Sequence, residues 1–357
     1  MDNNKNDNIK NNSTTLPKFT VGYLFANPDT AISSIKSMDF GKEFGTNPKL
    51  IFQPSSTFIN NIEKQKVWEE QINENLLPIE IRRQSEGIPK NCFCGFDIIK
   101  FYKKIETKVF GQFIVFVPVC TSTMNIADSF SKAFPTVDGF VVITGRSGNE
   151  WVSPLGAALF TINLIVPFDS NVSKSLVLIQ HLTAVSICKA ITEFIPDFPI
   201  RIKWPNDLYY KREFKLGGIL VSSSQSDSGY NCSIGVGLNI ANSKPTICIN
   251  DLISKEMGKL ETEDVIAKIL NKFETQLELL KSKGFASLVR DYEKFWLHTN
   301  EQVSISLASG IQEKVTIKGL DENGYLLVLK ESGEYESVMD NGNRFDLLQG
   351  LIFQRRN

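Results

Sequence analysis

The sequence predicts an α+β fold: a mixed β-sheet with covering helices at the centre, an accessory segment in front and a small SH3-like β-barrel at the carboxy terminus. Three observations predict it. Residues 139–143, 155–166, 200–204 and 235–240 read as strands, either alternating apolar with polar or apolar throughout. Residues 176–195 and 262–280 carry apolar side chains at helical spacing. From Val303 onward, short alternating stretches are punctuated by the hairpin dipeptides Asn323-Gly324 and Asn341-Gly342. A chain of 357 residues is long enough for two or three domains. Composition and pattern divide it into residues 1–16, 17–95, 96–298 and 299–357.

Residues 1–16 are rich in Asn, Lys and Thr, with almost nothing to bury, and are expected to be disordered. In the accessory segment, Phe19, Val21, Tyr23 and Phe25 recur at every second position and predict a strand. Residues 59–77 mix apolar and charged residues in a way that fits a helix. No chemistry stands out there. The next stretch, Phe110 to Phe116, is a strong strand pattern followed by Thr121, Ser122, Thr123 and Met124. Hydroxyl residues at such a strand-to-helix junction are ordinary N-caps for a helix from Asn125 onward.

Residues 139–143 form the next buried strand and lead into Thr144-Gly145-Arg146-Ser147-Gly148-Asn149-Glu150-Trp151. Glycines beside an arginine make a loop able to hold an anion through backbone N–H groups and a guanidinium, although many surface loops share that composition. The helix at 176–195 is apolar all round and should be central. His181 within it reads as a packing residue. Thr262 should cap the later helix, with Glu263 and Asp264 in its first turn and Gly284 ending it.

The most informative stretch is 200–220. Ile200, Ile202 and Trp204 alternate with Arg201 and Lys203, so Lys203 leaves the strand on the face opposite Trp204. Pro205, Asn206 and Asp207 form a turn, Lys215 follows, and the pair Gly217-Gly218 removes the side-chain wall before a second strand at Ile219, Leu220 and Val221. A lysine, an amide and a carboxylate are thus gathered at one strand tip. Spacing alone leaves open a plain hairpin with no chemistry.

Composition narrows the classes. Lys plus Arg (39) balance Asp plus Glu (40), so no global basic field exists to hold nucleic acid. The six cysteines are scattered and there are two histidines, His181 and His298, so a structural zinc site is poorly supplied and no metal ligands are assigned. The amino terminus reads as neither a secretory signal nor a transit peptide, and the longest apolar run falls short of a bilayer span. The expected setting is the reducing cytoplasm, with a mitochondrial fraction left open and no membrane partner.

Lys203-Trp204-Pro205-Asn206-Asp207, followed by Lys215-Leu216-Gly217-Gly218-Ile219-Leu220, resembles the signature of biotin protein ligases, also called holocarboxylase synthetases, in their eukaryotic form. Residues 121–124, 145–156 and 235–239 and the β-rich tail agree in the same order, so the resemblance covers roughly residue 96 onward. It implies a class II synthetase-like core and an ATP- and Mg²⁺-dependent reaction in two steps. Biotin is first converted to biotinyl-5′-adenylate and then passed to a lysine on the biotin-carrier domains of biotin-dependent carboxylases. By the resemblance, Ser122, Thr123 and Met124 line the biotin pocket, Asn239 sits at its floor, and Gly145 and Arg146 belong to an adenylate-gripping loop walled by Trp151. Lys203, Lys215 and Arg146 are the candidates to stabilise phosphoryl charge, with Asn206, Gly217 and Gly218 beside them and Asp207 orienting the acceptor amine. Mg²⁺ travels with ATP.

The chain departs from the family in one place: Ile143 runs straight into Thr144, which stands where the family has its first arginine, and a preceding Gln-Thr segment is absent. That departure keeps a non-catalytic binder of biotin or of the carrier domain as an alternative, beside a lipoate-type ligase on the same fold. The helix-turn-helix of some bacterial members is not evident at the front, which argues against a repressor role. The sequence leaves the oligomeric state open.

Overall fold

The computed structural model describes residues 21–26, 43–45, 47–54, 76–89, 92, 95–147, 155–242, 246–306, 312–339, 343–346 and 351–354. Eleven strands among them form one mixed sheet. They are β1 (Gly22–Ala26), β2 (Glu43–Phe44), β3 (Lys49–Pro54), β4 (Leu76–Arg83), β5 (Phe113–Cys120), β6 (Val141–Ser147), β7 (Ala157–Pro167), β8 (Ile200–Lys203), β9 (Asp207–Tyr210), β10 (Phe214–Gln225) and β11 (Gly229–Asn239). Their order is β2-β3-β4-β1-β5-β6-β7-β11-β10-β9-β8. The alternation in the front segment does produce a strand, and β1 lies between β4 and β5, pairing with both, so the accessory strands extend the central sheet. The helix expected at 59–77 falls largely outside the described residues, and its last two, Leu76 and Leu77, open β4.

Period-2 alternation assigns each strand residue to one of two cores. Phe25, Ile114, Phe116, Val141, Ile143, Phe160 and Ile162 face one side. Leu24, Val115, Val117 and Val142 belong to the other. The first face is covered by three helices, α3 (Val177–Phe194), α4 (Thr262–Lys283) and α5 (Phe285–Phe295), which pack on one another and on the sheet. The second carries α2 (Thr123–Ala133), which follows the short α1 (Ile98–Tyr102) in the chain and lies over β6, β7 and β11. Helix α3 is long and apolar enough to cross a membrane, yet 72% of it is buried inside the fold. His181 within it is fully buried, with Nε2 2.7 Å from the carbonyl oxygen of Gly324.

Several local expectations are corrected. Residues 208–215 connect no simple hairpin: β8, β9 and β10 form a three-stranded antiparallel meander. Thr144, Gly145, Arg146 and Ser147 are not loop residues, because β6 stays zipped to β5 as far as the Cys120–Ser147 pair. Thr262 is the first residue of α4 and not its cap, a place taken by Glu261 without a capping side-chain bond. Gly284 does end α4, at φ 70°.

The carboxy-terminal strands β12 (Gln302–Ser306), β13 (Gln312–Leu320), β14 (Leu326–Lys330), β15 (Tyr335–Val338), β16 (Asn343–Asp346) and β17 (Leu351–Gln354) make a second sheet, ordered β15-β14-β13-β12-β17-β16. All neighbours are antiparallel except β12 and β17. The Asn323-Gly324 turn joins β13 to β14 with Gly324 at φ 85°, whereas Asn341-Gly342 lies outside the described residues. Val303, Ile305, Val315, Ile317 and Val328 continue the main core, so this sheet is packed directly against the rest.

Candidate active site

Glycine decides where the sheet is open. On β10 and β11 the residues facing the three helices are large, including Ile219, Ile234, Val236 and Leu238. Those alternating with them are Gly218 and Leu220 on β10, and Gly235 and Gly237 on β11. Gly218 pairs with Gly237, which in turn pairs with Leu159 of β7. Among the described residues, a Cβ at Gly237 would meet nothing closer than Leu159 Cδ2, at 3.6 Å, so they leave the space above it open. Above this floor lies a cleft of about 360 Å³, lined by Ser122, Thr123 and Met124, by Asn206, Asp207 and Lys215, and by Ser147, Leu159 and Leu220.

One wall is the start of α2. Ser122 has extended backbone and caps the helix through Asn125 N–H at 3.4 Å. Thr123 Oγ1 shares a 2.7 Å hydrogen bond with the buried Thr161 Oγ1, which fixes its hydroxyl toward the sheet. Met124 packs on Gly235, where an added Cβ would lie 2.8 Å from its sulfur. The junction therefore caps a helix and lines a cavity with the same residues.

The opposing chemistry comes from the meander. Lys215 Nζ is 2.6 Å from Asp207 Oδ1, and Lys203 Nζ is 3.8 Å from Oδ2. The trio carries one net positive charge. Lys203 is largely buried and stands over the Tyr209 ring at 5.5 Å, whereas Lys215 is half exposed. Burial and the Asp207 charge push the Tyr209 phenol above its ordinary range. Gly218 makes room for the cluster, since a Cβ there would sit 3.3 Å from Asp207 Oδ1. The turn is held to β10 by two bonds: Asn206 Nδ2 donates to Ile219 O at 2.8 Å, and Ile219 N–H donates to Asn206 O at 2.9 Å. From below, Gln180 of α3 donates to Pro205 O at 3.2 Å.

The structure thus brings together Ser122, Thr123, Met124, Asn206, Asp207, Lys215 and Gly218 as lining residues, with Lys203 bound through Asp207. Gly217 is spent on sheet packing, because a Cβ there would strike Gly237 O. Asn239 closes β11 outside the lining residues and accepts from Asn242 Nδ2 at 3.1 Å. Thr144 is buried and donates to Arg146 O at 2.7 Å. Gly145 and Arg146 lie in β6 next to Ser147, which lines the cleft. Arg146 Nε is buried with no hydrogen-bond partner among the described residues. Trp151 lies outside the described residues. The thiol of Cys120, at the end of β5, is pushed up to about 11 by burial, against hydrogen bonds from Thr144 and Ser147, so it supplies no thiolate.

Sequence reading missed Ser147, Leu159, Leu220 and Thr161 as site residues. It also missed His298, whose Nε2 accepts the Trp204 N–H at 3.1 Å. The glycines at i and i+2 of β11 were the available signal for the open face. No cluster of three or more His, Cys, Asp or Glu able to hold a metal occurs among the described residues.

Residues 118–239 match the model of the biotin/lipoate A/B protein ligase family. The chain is 36% identical over 278 residues to the biotin–protein ligase of Homo sapiens, covering 73% of this chain but 38% of that protein's length. It is 30% identical over 290 residues to biotin–protein ligase 1, chloroplastic, of Arabidopsis thaliana, covering 76% of this chain and 77% of the relative. Among solved structures, a mutant biotin protein ligase from Aquifex aeolicus in complex with biotin superposes with a TM-score of 0.50 at 22% identity, over 63% of this chain and 94% of that one, a likeness of fold. On the plant relative's identity and coverage, this chain belongs to the biotin–protein ligases.

Proposed function

We propose that the protein is an ATP-dependent biotin–protein ligase that forms biotinyl-5′-AMP and transfers biotin to a lysine on the biotin-carrier domains of carboxylases. One observation carries the reading: a single cleft joins an uncharged, hydroxyl-edged wall to a net cationic cluster. The Leu159–Gly237 floor and the Ser122–Met124 wall suit a small apolar acid with a polar ring, for which a site needs few polar groups. In the first step the biotin carboxylate attacks the α-phosphorus of ATP and pyrophosphate leaves. Charge grows on phosphoryl oxygens, and Lys215, Lys203 and Arg146 are the groups preorganised to meet it. Arg146 Nε, buried with no hydrogen-bond partner among the described residues, favours an anionic ligand there. In the second step the acceptor amine attacks the mixed anhydride and AMP leaves, with Asp207 orienting the amine.

Mg²⁺ fits as a companion of the nucleotide: among the described residues the cleft offers one carboxylate, already shared by two lysines, so the phosphates would supply most of its ligands. We assign residues 96–298 to a class II synthetase-like core and the carboxy-terminal sheet, from 299 onward, to an SH3-like barrel that closes over nucleotide or acceptor. Work in the cytoplasm follows from the same reading.

Biotin-dependent ATP–pyrophosphate exchange, followed by transfer of labelled biotin to an apo-carrier domain, tests the assignment. Exchange with lipoate and none with biotin would make it a lipoate-type ligase. The absent Gln-Thr segment before Thr144 and the absent arginine whose place Thr144 takes, where β6 runs on without interruption, favour a second reading as a non-catalytic binder. Biotin binding without exchange would select that reading.

A further inference from the structure

The turn that carries Lys203 and Asp207 is anchored by a residue that ligation chemistry has not claimed. His298 follows α5 and is fully buried. Trp204 N–H donates to its Nε2 at 3.1 Å, and its Nδ1 lies 2.7 Å from Glu301 Oε2. A backbone N–H can only donate, so Nε2 must carry the lone pair. The neutral ring then holds its proton on Nδ1, aimed at the carboxylate. Glu301 is gripped in turn by Arg212 Nη2 at 2.5 Å, and Arg212 Nη1 donates to Leu297 O at 2.9 Å. Leu297 N–H donates to Ile202 O at 3.0 Å. A continuous relay, Arg212–Glu301–His298–Trp204, therefore ends on the backbone between Lys203 and Pro205.

We infer that His298, as the Nδ1–H tautomer, is a positioning residue for adenylation: by holding Trp204 it sets Lys203 and Asp207 against Lys215. The inference rests on the ligase reading above. The charged groups facing the ring are Glu301 ahead of β12, Arg212 from the β9–β10 turn and Lys203 from β8. Trp296 adds only an apolar edge, at 5.9 Å. Burial pulls the imidazole below its ordinary value, Glu301 opposes this, and Arg212 and Lys203 add to it, so the ring is neutral at physiological pH. Once acid protonates Nε2, it can no longer accept from Trp204.

The test compares wild type with His298→Phe, which keeps the ring volume but has no acceptor, and His298→Gln, whose amide oxygen can reach the place of Nε2. Two readouts are taken: biotin-dependent pyrophosphate exchange across pH, and amide hydrogen exchange over residues 203–207. His298→Phe should lower kcat about tenfold with KM for biotin within about twofold, and should strip protection from the turn. His298→Gln should restore most of both and remove the acid limb of kcat. Wild-type kcat in folded His298→Phe, unchanged protection, or failure of His298→Gln to rescue overturns the inference. If His298→Phe does not fold, an acid limb that persists in His298→Gln overturns it and the loss of that limb supports it. An inactive wild type defeats the ligase reading instead, and the hydrogen-exchange arm still decides whether His298 holds the turn.

Discussion

The same strands build both faces of the large sheet, but the face under α3, α4 and α5 is filled with Ile219, Ile234, Val236 and Leu238, while the other presents Gly218, Gly235 and Gly237. The filled face stores stability, since each of its side chains is held by neighbours on all sides. The glycine face stores space: α2 covers part of it, and the uncovered remainder is the cleft. Removing atoms from the first should therefore unfold the protein, whereas adding atoms to the second should silence it. One period-2 pattern serves both ends.

Four substitutions and one change of pH would break or sharpen that contrast. The largest effect is expected on the open face, where Lys215→Ala should reduce biotin-dependent pyrophosphate exchange by a factor of about 10²–10³. The Tm should barely move, because Lys215 is half exposed and its pair with Asp207 is a surface one. Next, on the filled face, Ile234→Ala should cost about 2–4 kcal/mol in urea unfolding and leave KM for biotin unchanged in the folded fraction. An unchanged stability would refute the filled-face description.

Gly237→Val plants a branched side chain where, among the described residues, a Cβ meets only Leu159, so it should raise KM for biotin about tenfold, close to 1.4 kcal/mol, while the fold survives. A normal KM there would mean that biotin does not rest on this floor. Thr123→Val leaves the buried Thr161 hydroxyl without its 2.7 Å partner and should cost about 1 kcal/mol of stability, measured by thermal or urea unfolding.

The smallest effect is a pH dependence. Burial holds His298 below its ordinary value of about 6.5, so the unfolded chain takes up the proton before the native one. Its contribution to stability is complete above that value and is lost as pH falls through it toward the lowered native pKa. Unfolding midpoints measured on either side of pH 6.5 should show this slope in wild type and lose it in His298→Gln. A slope that persists would assign the effect to another group.

By itself, the sequence determined the residues that are near one another along the chain. Lys203, Asn206 and Asp207 share one turn, Lys215 and Gly218 lie on the next hairpin, and Ser122 caps the helix that carries Thr123 and Met124, so turn chemistry and strand period suffice to predict their grouping. The large alternating strands and the two long helices were legible for the same reason: their signal is local and repeats.

Only the tertiary structure decided what faces what. Alternation separates two faces of a strand but does not say which receives helices, and strand order is set by pairing between segments far apart in the chain. So the continuation of β6 through Arg146, the inclusion of β1 to β4 in the central sheet, and the entry of Ser147, Leu159 and Leu220 into the cleft had no signature in their own neighbourhoods. His298 lies 94 residues beyond the Trp204 whose N–H it accepts, and a lone histidine in a sequence gives no hint of such a partner. Contacts of that range are fixed by the burial of the whole core, which is why the grouping of residues close in sequence could be read in advance and the scaffolding around them could not.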